Sequence, residues 1–566
     1  WDRQDCFSMV KRPEHRAPGD DTGELFGNFN LSKHDVNALH HVYGRSGEAP
    51  VSGDSYGFAL LSHDLDRDGF EDLAVGAPGR AQGNGAVFLY KGTATGNVLW
   101  KILTPEQTQA GQRFGSSLAA GDFDGDGIQD LAVGAPLASV GGKHGAGKVF
   151  VFRIRGNRDR EQIEVLTKPS ADGAVEVLDR FGAALLAGTF FEPALEANTS
   201  RRSQLAIGAP GARDGDRGRV GRAWIVNNDP GTRFRSVHLL DDDAAPFGQF
   251  GFAFAALRTG VQTGNDKLVV AAPGVTLGGC GAPRVYTTRV SGATLETVQQ
   301  IAEPDAPVPV FCPQDDTLSD DLDRVPMVWD ATFGARLASG DFDGDGRADL
   351  AIAAAPAVHV LRGQVQGGFA VAAKLGRRDF AESGPEYSFG SALVAADLDE
   401  DGRHDLLVGS PQTSLEGLPG VGKVYAYRGC TPFTGLGPLP GELVPSVRPP
   451  FNADRIVALC NGGMRRWFRL TQEDAQQVPA PSGGAPITLG IASNAANDRF
   501  GFSLAARRAS GEEDPIFYVG GVDKALHGSA KSGAVFLAAP AFLPGEPPYR
   551  TSAGLHSAFE TRFDRD

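Results

Sequence analysis

Short apolar or alternating runs, each bounded by Gly, Pro or Asp, recur along the chain from about residue 50 onward, a pattern of strands joined by tight turns. The clearest stretch predicts four of them in succession, over 116–122, 129–134, 148–153 and 162–167. The same phrase then repeats: Phe-Gly or a near variant, a strand, an Asp-rich turn, and a strand ending in Gly-Ala-Pro or a near variant. Full copies occupy 56–78, 114–136, 333–356 and 389–411, and copies without the acidic turn begin at Phe181, Phe250 and Phe500. A four-stranded antiparallel unit has two apolar faces and cannot fold alone, so it stacks on its neighbours. Radial repetition does this while leaving short edges. The expected fold is therefore all-β, a seven-bladed propeller of four-stranded antiparallel blades over 49–556, followed by a C-terminal tail at 557–566. The outer strand of the seventh blade is expected from 549–555 or from a segment near Val51.

Composition agrees with this reading. The 75 glycines and 36 prolines favour many turns over long helices. A net charge of −15 opposes nucleic acid and anionic membrane surfaces as partners, and no apolar run is long enough for membrane insertion. Starting at Trp1 without a leader pattern, the chain reads as a mature form or an excised piece. Of five cysteines, Cys280 and Cys312 form one close pair and Cys430 and Cys460 another, with Cys6 left over. If both pairs are bonded, each loop closure contributes roughly 3 to 4 kcal/mol and implies an oxidising compartment. Five buried free thiols are the alternative. A Pro-rich insertion at 431–490 and an acidic stretch at 303–330, carrying Cys312 and Trp329, are either binding loops or surface decoration.

The acidic turns carry the candidate chemistry. They place Asp64, Asp66, Asp68 and Asp72 in the first copy, Asp122, Asp124, Asp126 and Asp130 in the second, Asp341, Asp343, Asp345 and Asp349 in the fifth, and Asp397, Asp399, Asp401 and Asp405 in the sixth. Each set falls at positions 1, 3, 5 and 9 of a turn, with Gly at 6 and a main-chain carbonyl at 7 from Phe70, Ile128, Arg347 or Arg403. This is the oxygen-rich donor set of calcium. Position 12 is Val75, Val133, Ile352 or Val408 instead of the bidentate Glu of an EF-hand, so each turn is expected between two strands, with position 12 in the blade core. About four calcium sites are expected.

Through Phe-Gly, the Asp turns and the Gly-Ala-Pro endings, the chain resembles the FG-GAP repeat propeller of integrin α-subunits over about residues 50–556. The resemblance implies seven blades, calcium on one face, and a ligand-binding or subunit-binding surface on the other, formed by the loops after Pro78, Pro136, Pro210, Pro273 and Pro411 together with the segments preceding each Phe-Gly. The implied role is a secreted or cell-surface module for adhesion that binds an extracellular protein or glycan.

Residues 1–48 stand apart. Ser32 as N-cap, Asp35, and Val36, Leu39 and Val42 at three-residue spacing predict a short helix ending at Gly44. With Ser8-Met9 placed like a Met-turn, this segment resembles the closing part of a metzincin metalloprotease domain. It reads either as the tail of a protease domain, which would make the propeller its C-terminal targeting module, or as a cap on the propeller. No zinc-binding His-Glu-x-x-His or phosphate-cradling loop occurs, and no catalytic residue is assigned to this chain on its own. The competing expectation is an enzyme, either a calcium-assisted polysaccharide lyase at the propeller axis or a zinc metalloprotease.

Overall fold

The computed structural model describes residues 53–538 apart from 94–96, 156–158, 170–172, 191–201, 214–218, 230–231, 240–247, 259–265, 275–282, 292–293, 303–332, 366–367, 381–387, 416, 431–463, 471–498, 508–515 and 522–533. The N-terminal helix and the acidic 303–330 stretch expected from sequence lie outside the described residues, as do Cys6, Cys280, Cys312 and Cys460.

The first blade comprises β1 (Ala59–His63), β2 (Asp72–Ala77), β3 (Ala86–Lys91) and β4 (Val98–Leu103). The second has β5 (Ser117–Gly121), β6 (Asp130–Ala135), β7 (Lys148–Arg155) and β8 (Asp159–Leu166), and the third β9 (Ala184–Gly188), β10 (Gln204–Ala209), β11 (Arg222–Asp229) and β12 (Thr232–Leu239). The fourth runs through β13 (Ala253–Leu257), β14 (Lys267–Ala272), β15 (Arg284–Ser291) and β16 (Thr294–Ala302). The fifth contains β17 (Leu337–Gly340), β18 (Asp349–Ala354), β19 (Ala357–Gly363) and β20 (Phe369–Leu375), and the sixth β21 (Ala392–Ala396), β22 (Asp405–Ser410), β23 (Lys423–Gly429) and β24 (Met464–Leu470). In every blade, neighbours in sequence are antiparallel neighbours in the sheet. Helix is almost absent from the described residues; a 3-10 turn spans Arg377–Phe380.

Two expectations are corrected. Among the described residues there are six four-stranded blades, not seven: the seventh copy forms a three-stranded sheet of β25 (Phe500–Arg507), β26 (Ile516–Gly521) and β27 (Ala534–Ala538). No fourth strand pairs with β27 among the described residues, and both segments expected to supply it, 549–555 and the one near Val51, lie outside them. The 431–490 stretch, in turn, is not wholly an insertion. Its residues Met464–Leu470 form β24, the outer strand of the sixth blade.

The Phe-Gly phrase is the packing joint of each unit. Tyr56, Phe114, Phe181, Phe250, Phe333, Phe389 and Phe500 are all buried. Six of them meet a ring on the third strand of their own blade, such as Phe114 on Phe150 with centroids 5.3 Å apart and Phe181 on Trp224 at 5.4 Å. The following glycine has positive φ in every copy, from 83° at Gly251 to 96° at Gly390, a backbone that L side chains rarely adopt. Its carbonyl abuts the Gly of the preceding blade's Gly-Ala-Pro: a Cβ on Gly134 would lie 2.2 Å from the carbonyl oxygen of Gly182, and one on Gly76 2.1 Å from that of Gly115. The second strands, flanked by sheets on both faces, are buried at every position in blades one, two, three, five and six.

The same joint links the last sheet to the first. A Cβ on Gly520 would lie 2.5 Å from the carbonyl oxygen of Gly57, Ser503 Oγ donates to that oxygen at 2.5 Å, and Tyr518 Oη donates to Asn97 Oδ1 at 3.1 Å. First strands therefore neighbour one another around the ring, and β25 meets β1. Because the glycine joints gather the Phe-Gly starts and Gly-Ala-Pro ends on one face, the turns between first and second strands fall on the opposite face.

Candidate metal centre

Each acidic turn is built by its own backbone. Position 2 is an apolar anchor, Leu65, Phe123, Phe342 or Leu398, and all four are buried. Positions 4 and 6 both have positive φ: Arg67 and Gly69, Gly125 and Gly127, Gly344 and Gly346, Glu400 and Gly402. This curl points successive N–H groups at the first aspartate. Asp122 accepts from the amides of Gly125 (2.7 Å) and Gly127 (2.9 Å), and Asp341 from those of Gly344 (2.8 Å), Asp345 (3.0 Å) and Gly346 (2.8 Å). In the first and fourth turns the sixth-position amides of Gly69 and Gly402 donate to Asp64 and Asp397.

The ninth-position aspartate is the buried end of the turn. Asp72 accepts from the amides of Leu65 and Gly92, Asp349 from Phe342 and Gly363, and Asp405 from Leu398 and Gly429, at 2.9 to 3.0 Å. Burial nonetheless pushes these carboxyls up, Asp72 to about 6, Asp349 to about 7 and Asp405 to about 8, with neighbouring aspartates adding to the rise. Burial also raises Asp343 and Asp399.

The structure gathers positions 1, 3 and 9 of every turn: Asp64, Asp66 and Asp72; Asp122, Asp124 and Asp130; Asp341, Asp343 and Asp349; Asp397, Asp399 and Asp405 each offer oxygens within 4.8 Å of one another. The fifth-position Asp68, Asp126, Asp345 and Asp401 accept instead from the amides of Phe70, Ile128, Arg347 and Arg403 at position 7. Position 12 is fully buried in all four copies, as the strand-flanked reading requires. The donor set suits a hard divalent cation. Two buried oxygens of the first turn, Asp64 Oδ1 and Asp66 Oδ1, have no hydrogen-bond donor among the described residues, and a cation would satisfy both.

Residues outside the motif join the site. A cation on the third strand of each of these blades, Lys91, Arg153, Arg362 or Arg428, pairs with the turn carboxylates. In three blades a glycine follows it, Gly92, Gly363 or Gly429, whose amide supplies the bond to the ninth aspartate. The recurring Lys/Arg-Gly at the end of the third strand is the signal that would have found them. His404 connects two turns: its amide donates to the carbonyl of Asp341 at 2.8 Å, and its Nδ1 accepts from the Asp341 amide at 3.3 Å.

With this geometry in view, residues 56–90 and 114–152 match the FG-GAP repeat, and 341–408 match the FG-GAP-like repeat. Integrin alpha-PS2 of Drosophila melanogaster is 31% identical over 236 residues, 40% of this chain and 16% of that protein. Integrin alpha-5 of Xenopus laevis is 37% identical over 139 residues, 23% of this chain and 13% of its own length. Phosphatidylinositol-glycan-specific phospholipase D of Mus musculus is 25% identical over 495 residues, 85% of this chain and 46% of that protein. The chain thus spans less than half the length of the curated relatives it matches. The class defined by fold and turns is the FG-GAP β-propeller. Within that class, the chain is similar to the propellers of integrin α-subunits.

Proposed function

We propose that this chain is a secreted or cell-surface calcium-binding propeller that serves as a binding module for an extracellular protein or glycan. The observation that carries the calcium reading is the fourfold recurrence of a carboxylate triad within 4.8 Å. Calcium would be held by Asp64, Asp66 and Asp72, with the equivalent triads in the other three turns, and by the carbonyls of Phe70, Ile128, Arg347 and Arg403. The ion would offset carboxylate repulsion and fix the ends of the first and second strands. The ligand surface is assigned to the opposite face, on the loops after Pro78, Pro136, Pro210, Pro273 and Pro411, because a rigid ring presents those loops together. Among the described residues no helix is long and apolar enough to cross a membrane. Cys430 with Cys460, and Cys280 with Cys312, are the proposed disulfide pairs.

Metal analysis together with thermal melts in millimolar calcium and in EGTA tests this reading. About four calcium ions per chain are expected, each contributing on the order of 1 to 2 kcal/mol, with a combined fall of about 4 to 8 °C on chelation. No bound calcium and no shift would refute it, and stoichiometric zinc would favour the protease reading. The match to phosphatidylinositol-glycan-specific phospholipase D, which extends over 85% of this chain, favours a second reading, in which this chain shares an activity on phosphatidylinositol-glycans. Turnover of a phosphatidylinositol-glycan by this chain itself would replace the binding-module reading.

A further inference from the structure

We propose that Lys91, Arg153, Arg362 and Arg428 are built-in competitors of the divalent cation, holding the acidic turns together without metal and lowering their affinity for it. The inference rests on the calcium reading of those turns. Its basis is a division of labour inside each turn. The first and ninth aspartates are held by backbone amides, as described above. The third-strand cation pairs with the third aspartate in all four turns and with the fifth in three, beside the backbone amides that also reach most of these carboxylates. Arg347 and Arg403 also pair with Asp345 and Asp401.

The same pairing recurs four times. Lys91 Nζ contacts Asp66 and lies 3.0 Å from Asp68 Oδ2. Arg153 contacts Asp124. Arg362 contacts Asp343, with Nε 3.5 Å from Asp345 Oδ2, and Arg428 contacts Asp399, with Nη2 3.4 Å from Asp401 Oδ2. Strand register places these cations alike. Arg153 is directly opposite Asp130, while Lys91, Arg362 and Arg428 each follow Tyr90, Leu361 or Tyr427, the partner of the residue after the ninth aspartate. The third blade, which lacks the acidic turn, has Gln204 at the ninth position and places Asn227 after Val226, the partner of Leu205.

Asp343 and Asp399 are each only 1% exposed, so their attraction to Arg362 and Arg428 is weakly screened by water. A divalent ion entering the turn needs the third-position carboxylate that the cation already engages. Binding therefore includes separating that ion pair, or accommodating a like charge beside the metal. Both weaken calcium affinity, and both keep the turn folded when calcium is scarce.

The test is a calcium titration of the full chain, wild type against the single variants Lys91→Met, Arg153→Met, Arg362→Met and Arg428→Met, with parallel melts in EGTA. Methionine keeps the apolar stem and removes the charge. Expected at each altered site is calcium binding about tenfold tighter, with a lower melting temperature in EGTA and an unchanged one in saturating calcium. Arg153→Lys should retain wild-type affinity. A fall in affinity in the Met variants, or no change, would overturn this inference while leaving the calcium reading intact. A wild-type chain that binds no calcium would overturn both. If a variant does not fold in EGTA, titration by chelator competition from the calcium-loaded state still reads its affinity.

Discussion

At the scale of single residues, the fourth position of the acidic turn shows how backbone conformation selects sequence. Gly125 and Gly344 fill it in two turns, whereas Arg67 and Glu400 fill it at φ of 61° and 56°. A non-Gly residue in that region costs about 1 to 2 kcal/mol, of which glycine's extra chain entropy would take back about half. Glu400→Gly should therefore stabilise the chain by about 0.5 kcal/mol in urea denaturation. Gly402→Ala, with open space around its Cβ but φ of 85°, should destabilise it by about 1 kcal/mol through conformation alone. The ninth-position carboxyls set a pH dependence of the opposite sense to that of ordinary paired carboxylates. A carboxyl pushed up by burial favours the folded chain while protonated, and that contribution is lost as pH rises through the folded-state value. With Asp72, Asp349 and Asp405 near 6, 7 and 8, the melting temperature in EGTA should be higher at pH 5.5 than at pH 8.5. In saturating calcium the order should reverse, because protons then compete with the metal. The aspartates were legible from spacing alone. Their third-strand counter-charges were not, since Lys91 lies 25 residues beyond Asp66 and only strand register brings the two together.

At the scale of elements, the joint between blades explains why the second strand closes on a Gly, at 76, 134, 208, 409 and 520, in five of the seven copies. The Gly of one phrase meets the carbonyl of the next, and any Cβ there collides with backbone that cannot yield. Gly134→Ala would set its methyl 2.1 Å from Ser117 Oγ and 2.2 Å from the Gly182 oxygen, so a loss of roughly 3 kcal/mol is expected in equilibrium unfolding. The fourth and fifth blades have Ala271 and Ala353 at this place, with their Cβ atoms 3.3 and 3.1 Å from where a Cβ on Gly334 and on Gly390 would lie. Those two seams hold a methyl, so Ala353→Gly, which deletes a fully buried methyl from β18, should destabilise by about 1 to 2 kcal/mol in equilibrium unfolding. The strand pattern of the second copy was read within one or two residues at most ends, because Gly, Pro and Asp punctuate it. β24 was hidden because its seven residues, Met-Arg-Arg-Trp-Phe-Arg-Leu, carry three arginines and sit in the midst of a Pro-rich stretch. The three-stranded sheet shows the limit of counting motifs, since a phrase marks the first two strands of a unit and leaves its outer edge unspecified.

At the scale of the whole molecule, the acidic turns are unevenly distributed around the ring: two lie in adjacent blades at residues 64–72 and 122–130, and two in adjacent blades at 341–349 and 397–405. Within the second pair the turns touch directly. His404 grips the main chain of Asp341 on both its amide and its carbonyl, and a Cβ on Gly340 would lie 2.7 Å from His404 Cβ. Arg403 likewise covers Gly344, at 3.0 Å from where its Cβ would be. A change in the fourth turn must therefore move the third, whereas the third and fourth blades on one side and the three-stranded sheet on the other separate this pair from the first. Asp399→Asn removes one carboxylate of the fourth triad while preserving size. In calcium, hydrogen exchange in this variant should rise at 397–405 and also at 341–349, and stay unchanged at 64–72 and 122–130. Adding His404→Ala to the same variant should bring 341–349 part of the way toward the exchange of the His404→Ala chain alone, since the imidazole contact to the Asp341 amide is then gone while the main-chain bond from residue 404 to the Asp341 carbonyl remains. Equal rises in all four turns would mean that the sites communicate through the ring as a whole, and no rise at 341–349 would mean that His404 holds the two turns together without coupling their occupancy.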